Sequence, residues 1–553
     1  MALPHQPGPV TDPRLHARTE ATRLLCAGVH LDQEFRDRVL EELVEHEERP
    51  VAPSLGVDAA SVLAHAVLAR NRELIASAAV LALWIMFFLL GTPSSSDLTT
   101  STDRSSGSSS FGSSEPTAPD LDLGAPVLYL GCCVLFWLSR AARAWLRERP
   151  RNRLVRYLIR YLMLLTPMAF LFYFLSVTDH ISNGEGRAWL DLIFPVLLAL
   201  PGWWRRDQLQ RLARTGLSRS VFRTAPQVEV PDNGRYQRIS RAIVREQHSL
   251  LNIYDPFEPF LGAGEPHKPW SFAIELKRSK QGPQGAATLT GRDVVDLIRP
   301  RLEALRVSAV DGQSRDRLRS LEVDEFVYVP GGVHRAEVPR DAATVNEHLL
   351  TSVNEGGEGR RHFLRVRVGA WNEQVVLTVL VRVHTQGGML VLEVVPHVLP
   401  PVRADFRALE DLEDPRRNTV ARTVVRTLVD SPLALFSALS SLGRTIGSTY
   451  RTWLAAPRHS VSEGPKASVR ELGSAAGLSL FQEMDVSRYL KTIQDRIASG
   501  TREALRVKGF ETDEFQQQII NVSEGSVFIG EMSGGAVATG KDAYAVNNGG
   551  SRA

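Results

Sequence analysis

Four apolar stretches, residues 74–90, 123–138, 161–177 and 188–204, fall in the first 205 residues of this 553-residue chain. Each is close to the roughly 17-residue lower limit for crossing a bilayer core as a helix. A chain carrying four of them folds with a membrane as part of its solvent. The loops between them set the expected orientation, because Lys and Arg near membrane ends stay on the cytoplasmic side while acidic residues count for little. The second connection is dense in arginine (Arg140, Arg143, Arg147, Arg149, Arg151, Arg153, Arg156, Arg160), and Arg205, Arg206, Arg211, Arg214, Arg219 and Arg223 follow the fourth stretch. The first connection sets Asp97, Asp103, Glu115, Asp120 and Asp122 against Arg104 alone, and the third holds Asp179, Glu185 and Arg187. Those two are expected outside. Both termini are expected inside, with everything after the fourth stretch in the cytoplasm.

The net charge of +3 hides this asymmetry. Basic charge gathered at the inner membrane face meets anionic lipid at about 1 kcal/mol per residue. A nucleic-acid partner is not expected, since it would need stacking aromatics among those arginines in a soluble fold. Cys26, Cys132 and Cys133 are the only cysteines and have neither metal nor redox spacing. The long, mixed and charged stretch before the first apolar segment does not read as a signal peptide.

The expected organisation follows from pattern changes along the chain. Residues 1–13 are Pro-rich and read as disordered; 14–73 read as a cytoplasmic helical module in which Asp32 and Asp58 cap helices. No breaker follows Ala59 before Gly91, so one helix is expected to run from that module into the first apolar stretch. The four-helix membrane region, 74–204, includes a Ser-rich external loop at 91–122 of a composition that does not build a core. Residues 205–235 form a basic juxtamembrane linker, and 236–406 read as an α+β domain. Its strands are expected at 270–277, 321–329, 363–368, 374–384 and 389–398, the last three as an antiparallel meander. Helices at 293–307 and 342–350 would cover one face. A helical region at 407–510 contains the amphipathic segment 432–454, suited either to the membrane surface or to packing on the domain, and a last helix at 486–507. Residues 511–553 are a Gly-rich tail.

No pattern here specifies catalysis. The chain has no G-x-x-x-x-G-K-[ST], no H-E-x-x-H and no G-x-S-x-G, so no catalytic, cofactor or metal residue is assigned. His384 and His397 are near enough in the meander to approach each other, but they lack a third ligand. The densest unusual segment is the Pro-rich loop carrying Tyr254, Phe257, Phe260 and Trp270, which either plugs the domain core or offers rigid aromatics to a partner. Asp191, near the outer end of the fourth stretch, is the candidate intramembrane polar site. Gly525, Gly530, Gly535 and Gly540 punctuate short β segments in the tail, a pattern suited to self-association or to a protein partner.

The residues Tyr254, Pro256, Phe257, Phe260, Gly262 and Gly264, the run Trp270-Ser271-Phe272-Ala273 and the run Leu399-Pro400-Pro401-Val402-Arg403 together resemble multi-pass membrane proteins of actinobacteria for which no activity is established. The resemblance implies a cytoplasmic α+β domain and a glycine-rich tail, and supplies no catalytic residue. The tail run Val-Ala-Thr-Gly-Lys-Asp-Ala-Tyr-Ala is similar to repeats of β-roll adhesin heads, and its glycine spacing resembles bacterial amyloid-type signalling motifs. The functional expectation is a membrane-anchored, non-enzymatic scaffold or sensor, with a small transporter or channel using the four helices as the alternative.

Overall fold

The computed structural model describes residues 15–91, 124–148, 153–183, 188–279, 288–311, 317–335, 337–357, 359–413, 420–455 and 464–523. The expected disordered N-terminus, the Ser-rich loop after Gly91 and the glycine-spaced part of the tail after Ser523 lie outside them, while Asp513–Ser523 of the expected Gly-rich tail folds as a helix. Two compact units form, and neither is continuous in sequence. The first draws on residues before the membrane-type helices, on 227–407, and on the C-terminal region; the second joins those helices to residues up to Ala455.

The first unit is built on a seven-stranded sheet: β1 (Leu251–Tyr254), β2 (Glu265–Pro266), β3 (Trp270–Glu275), β4 (Glu322–Pro330), β5 (Arg361–Ala370), β6 (Val375–Gln386) and β7 (Met389–Leu399). Its order is β1-β4-β5-β6-β7, with β2 and β3 both pairing along the far edge of β7. Strands β5 to β7 form an antiparallel meander in register from Val376↔Leu399 to Gln386↔Met389. The sheet is nevertheless mixed, because β1 lies parallel to β4. Four residues, all buried, give β1 no alternation to read.

One face is covered by the helices Gly291–Asp311 and Leu480–Val507. Val294, Ile298 and Leu302 meet Ile493 and Ile497 over Val366, Val368, Val379 and Val381. These helices approach so closely that a Cβ on Gly500 would lie 2.7 Å from the Ile298 Cα. The helix Ala342–Ser352 covers the same face beside β1, with Val345 and Leu349 against Leu251 and Val327. The other face carries Phe326, Tyr328, Phe363 and Leu380. There the Arg365 guanidinium sits 3.8 Å from the Phe326 ring centre, and buried Arg367 pairs with Glu322 at 2.7 Å and with Glu373.

The N-terminal helices belong to this unit. Asp32 caps the helix Gln33–Leu40 through the Glu34 and Phe35 N–H groups, as its position suggests, and also pairs with Arg403 at 2.7 Å. Phe35 packs on Phe406 with ring centres 5.0 Å apart. Arg235 reaches Glu47 and the Val44 carbonyl, and the Gln247 amide bridges Asp58 and the Ala59 N–H.

The helix Ala59–Gly91 runs unbroken, as the absence of a breaker predicts. In the second unit it joins Ala125–Glu148, Arg153–Ser182 and Ala188–Thr215. Among the described residues, three helices are long and apolar enough to cross a membrane: Ala59–Leu90, Ala125–Trp145 and Ile159–Ser182. The fourth expected span does fold as a helix, but Asp191, Pro195, Pro201 and the Arg205-Arg206 pair dilute its apolar run. Aromatic rings tie it to the others: Phe194 stacks on Phe87 at 3.7 Å and meets Trp84 edge-on at 5.1 Å, while Trp84 stacks on Tyr129 at 5.9 Å. The helices Val420–Asp430 and Ala434–Ala455 also belong to this unit, the second of them corresponding to the amphipathic segment.

Candidate functional site

The aromatic loop between β1 and β3 divides into packed and presented residues. Tyr254 ends β1 in the core, and Phe260 turns inward to meet Phe363 at 5.4 Å, Tyr328 at 5.7 Å and His397 at 5.1 Å. Trp270 is half-buried and stacks on Phe272. Phe257 alone is presented, 94% exposed, at the head of a turn in which the Asp255 carboxylate accepts from its N–H at 2.9 Å.

The loop is clamped from behind. Gly262 and Gly264 have φ of +95° and +93°, and both donate their N–H groups to one oxygen of Glu471, at 2.8 and 2.9 Å. A Cβ on Gly264 would lie 2.3 Å from the Val398 carbonyl oxygen, so only glycine fits this approach. Burial raises the Glu471 carboxyl above its ordinary range, against the lowering effect of the two N–H groups.

The turn between β5 and β6 forms a second presented feature. Trp371, Asn372 and Glu373 have φ of +54°, +56° and +66°, three consecutive left-handed residues without a glycine among them. Such backbone costs roughly 1–2 kcal/mol per residue and persists only when the surroundings over-determine it. Here Glu373 is held by buried Arg367, while the Trp371 indole donates to Asp485 at 3.2 Å. That bond sets the half-exposed Trp371 beside the first turns of Leu480–Val507, where Leu480, Phe481 and Met484 are 71%, 71% and 60% exposed. Phe481 lies one turn before Asp485 and therefore on the same side of the helix.

Sequence reasoning missed this patch because it began the helix at residue 486. The available signal was Ser479 and Gln482, which form a capping box and move the start back to Leu480. The apolar residues 480, 481 and 484 then lie off the stripe of Val486, Leu490, Ile493 and Ile497.

Two other sequence candidates are not drawn together. His397 pairs with Thr378 and His384 with Val391, so the meander register holds the two histidines apart. Among the described residues no group of three His, Cys, Asp or Glu is placed to hold a metal ion. Asp191 lies in the first turn of Ala188–Thr215, where a carboxylate complements the helix dipole, and its backbone carbonyl accepts from the Tyr173 hydroxyl at 2.8 Å. Gly525, Gly530, Gly535 and Gly540 lie outside the described residues.

Residues 269–536 are similar to the AbeC-like domain family. The matched stretch takes in β3 to β7, the Trp371 turn, the two helices Val420–Asp430 and Ala434–Ala455, and Leu480–Val507. No curated protein and no solved structure matches the chain.

Proposed function

We propose that this protein is a membrane-anchored, non-enzymatic scaffold or sensor whose first unit binds a protein partner on the cytoplasmic side. The observation that carries partner binding is the surface of Trp371, Leu480, Phe481 and Met484. Large aromatic and Met side chains on a rigid scaffold are the residue types that dominate interface energetics. The strained turn beneath Trp371 supports the same reading, because the fold retains a costly backbone that holds the indole at the surface. A transporter reading draws less support, since Asp191 sits at a helix start rather than along a path through the helices.

The proposed topology is four crossings, both termini inside, and the arginine-rich loops against anionic lipid. Three helices pass by length and composition, and the fourth rests on an argument from parity. Phe35 packs on Phe406 and Asp32 pairs with Arg403 within one folded unit, although all the membrane-type helices lie between them in sequence. Residues that pack together occupy one side of a bilayer, so the number of crossings between them is even. With three helices already suited to span, Ala188–Thr215 supplies the fourth.

Both parts are testable on the full chain. Detergent extracts carrying Phe481→Ser with Met484→Ser are expected to lose proteins that the parent chain retains, at unchanged thermal stability; the same proteins retained at the same level would defeat the partner surface. Tags at the N-terminus and after Ala553 are expected to be cut by protease only in inside-out vesicles. Cleavage of the two tags from opposite sides would refute the even count.

A further inference from the structure

The helices Val420–Asp430 and Ala434–Ala455 are joined by the short turn Ser431–Leu433. The turn is buried against Ala125–Glu148 and Ala188–Thr215, with Ser431 4% exposed. Ala438 lies in one cluster with Val80, Trp84, Cys132, Cys133 and Leu198, and Phe436 stacks on Trp137 at 5.2 Å. Immediately before the turn, Asp430 pairs with Arg140 at 3.2 Å. Ten residues down the second helix, Arg444 faces Glu73 at 3.9 Å, just before the apolar run of the first spanning helix. Ten helical residues rise about 15 Å, which is half of a roughly 30 Å hydrocarbon core. The first helix has 11 residues, about 16 Å, too short to cross.

The geometry points to a re-entrant hairpin: residues 420–455 dip into the inner leaflet, turn at Ser431–Leu433 and return, with lipid acyl chains covering their unpartnered apolar faces. This rests on the membrane reading above and adds a membrane element that does not cross. Acyl chains are the occupant because the exposed faces continue the surface of helices that already face lipid. Val425, Val429 and Leu439 are 62%, 58% and 52% exposed, to the same degree as Leu171, Phe172 and Leu175 of the spanning helix Arg153–Ser182.

Seven hydroxyls are satisfied within the element, as a hydrocarbon setting requires, whereas the charged Asp430 and Arg444 pair with Arg140 and Glu73 of the neighbouring helices. The hydroxyls of Thr427, Ser431, Ser437, Ser440, Thr445, Thr449 and Thr452 all donate to carbonyls three or four residues back. Pro432 removes a donor at the turn itself. Past Arg444, the exposed and stacked Tyr450 and Trp453 fall where an aromatic belt meets headgroups.

The test places p-benzoylphenylalanine singly at Val429, Leu439, Leu171 and Phe257 of the full chain in vesicles of phosphatidylcholine and phosphatidylglycerol, followed by irradiation and mass spectrometry. Lipid adducts at 429 and 439 are expected to match those at 171 and to exceed those at 257 by roughly tenfold. Lipid adducts at 171 with only intrachain products at 429 and 439 would overturn the hairpin while leaving the spanning helices intact. Interchain dimers at 429 and 439 would also overturn it, by making a second copy the occupant. No lipid adduct at 171 would overturn the membrane reading, and the hairpin with it.

Discussion

At the scale of single residues, the buried charges of the first unit are the least dispensable. Glu325 on β4 is 6% exposed and accepts from Arg299 at 2.6 Å, from Arg292 at 2.9 Å and from His362 at 2.9 Å. Burial alone would raise its carboxyl, but the His362 hydrogen bond and the charges of Arg292, His362 and Arg299 outweigh it and hold the group down at about 2. A carboxyl depressed by folding contributes stability above its unfolded range and loses it as pH falls through the folded value. The full chain in detergent is therefore expected to lose thermal stability between about pH 4.5 and pH 2. Glu325→Gln removes the charge opposite Arg292 and Arg299 and one of the two acceptor oxygens, so it is expected to cost on the order of 3–5 kcal/mol at neutral pH and to flatten that acid slope. Parent and variant with the same slope over this window would show that another group carries the acid response.

At the scale of elements, the Trp371 turn sets stability against presentation. Trp371→Gly removes one left-handed side-chain penalty of roughly 1–2 kcal/mol and one exposed indole, while leaving the Glu373–Arg367 pair in place. The expected outcome is an unchanged or raised melting temperature together with lost partner retention; a variant that melts lower and still retains its partners would contradict both halves. The strands on either side of this turn were legible because β5, β6 and β7 are long and their turns are short. Strand β4 lacks a clean alternation for a physical reason: Val323, Glu325 and Val327 face the helices while Phe326 and Tyr328 face the aromatic loop, so both faces are covered. The aromatic loop itself could not be sorted in advance. What separates Phe260 from Phe257 is the Glu471 clamp on Gly262 and Gly264, which comes from more than two hundred residues away.

At the scale of the molecule, the first unit is assembled from pieces that the membrane-type helices separate in sequence. Local pattern carries no trace of this, since Gly28 reads only as a small residue within an N-terminal helix. In the fold it is where the Phe406 ring lies flush on that helix: a Cβ there would sit 2.6 Å from the ring. Phe406 is itself buried, 1% exposed. Gly28→Ala is accordingly expected to destabilise the full chain by about 1–3 kcal/mol through overpacking. Phe406→Leu, which vacates ring volume, is expected to be destabilising alone yet to recover part of the loss in the double variant. Thermal unfolding of all four proteins in one detergent closes the cycle, and a coupling well above about 0.5 kcal/mol marks direct contact. Simple additivity would mean that the two residues do not touch. Coupling measured again in sealed vesicles by protease release of the N-terminal segment would carry further, because two residues in contact share one side of the bilayer. On the topology proposed above, a contact between residues 28 and 406 would require an even number of crossings between them.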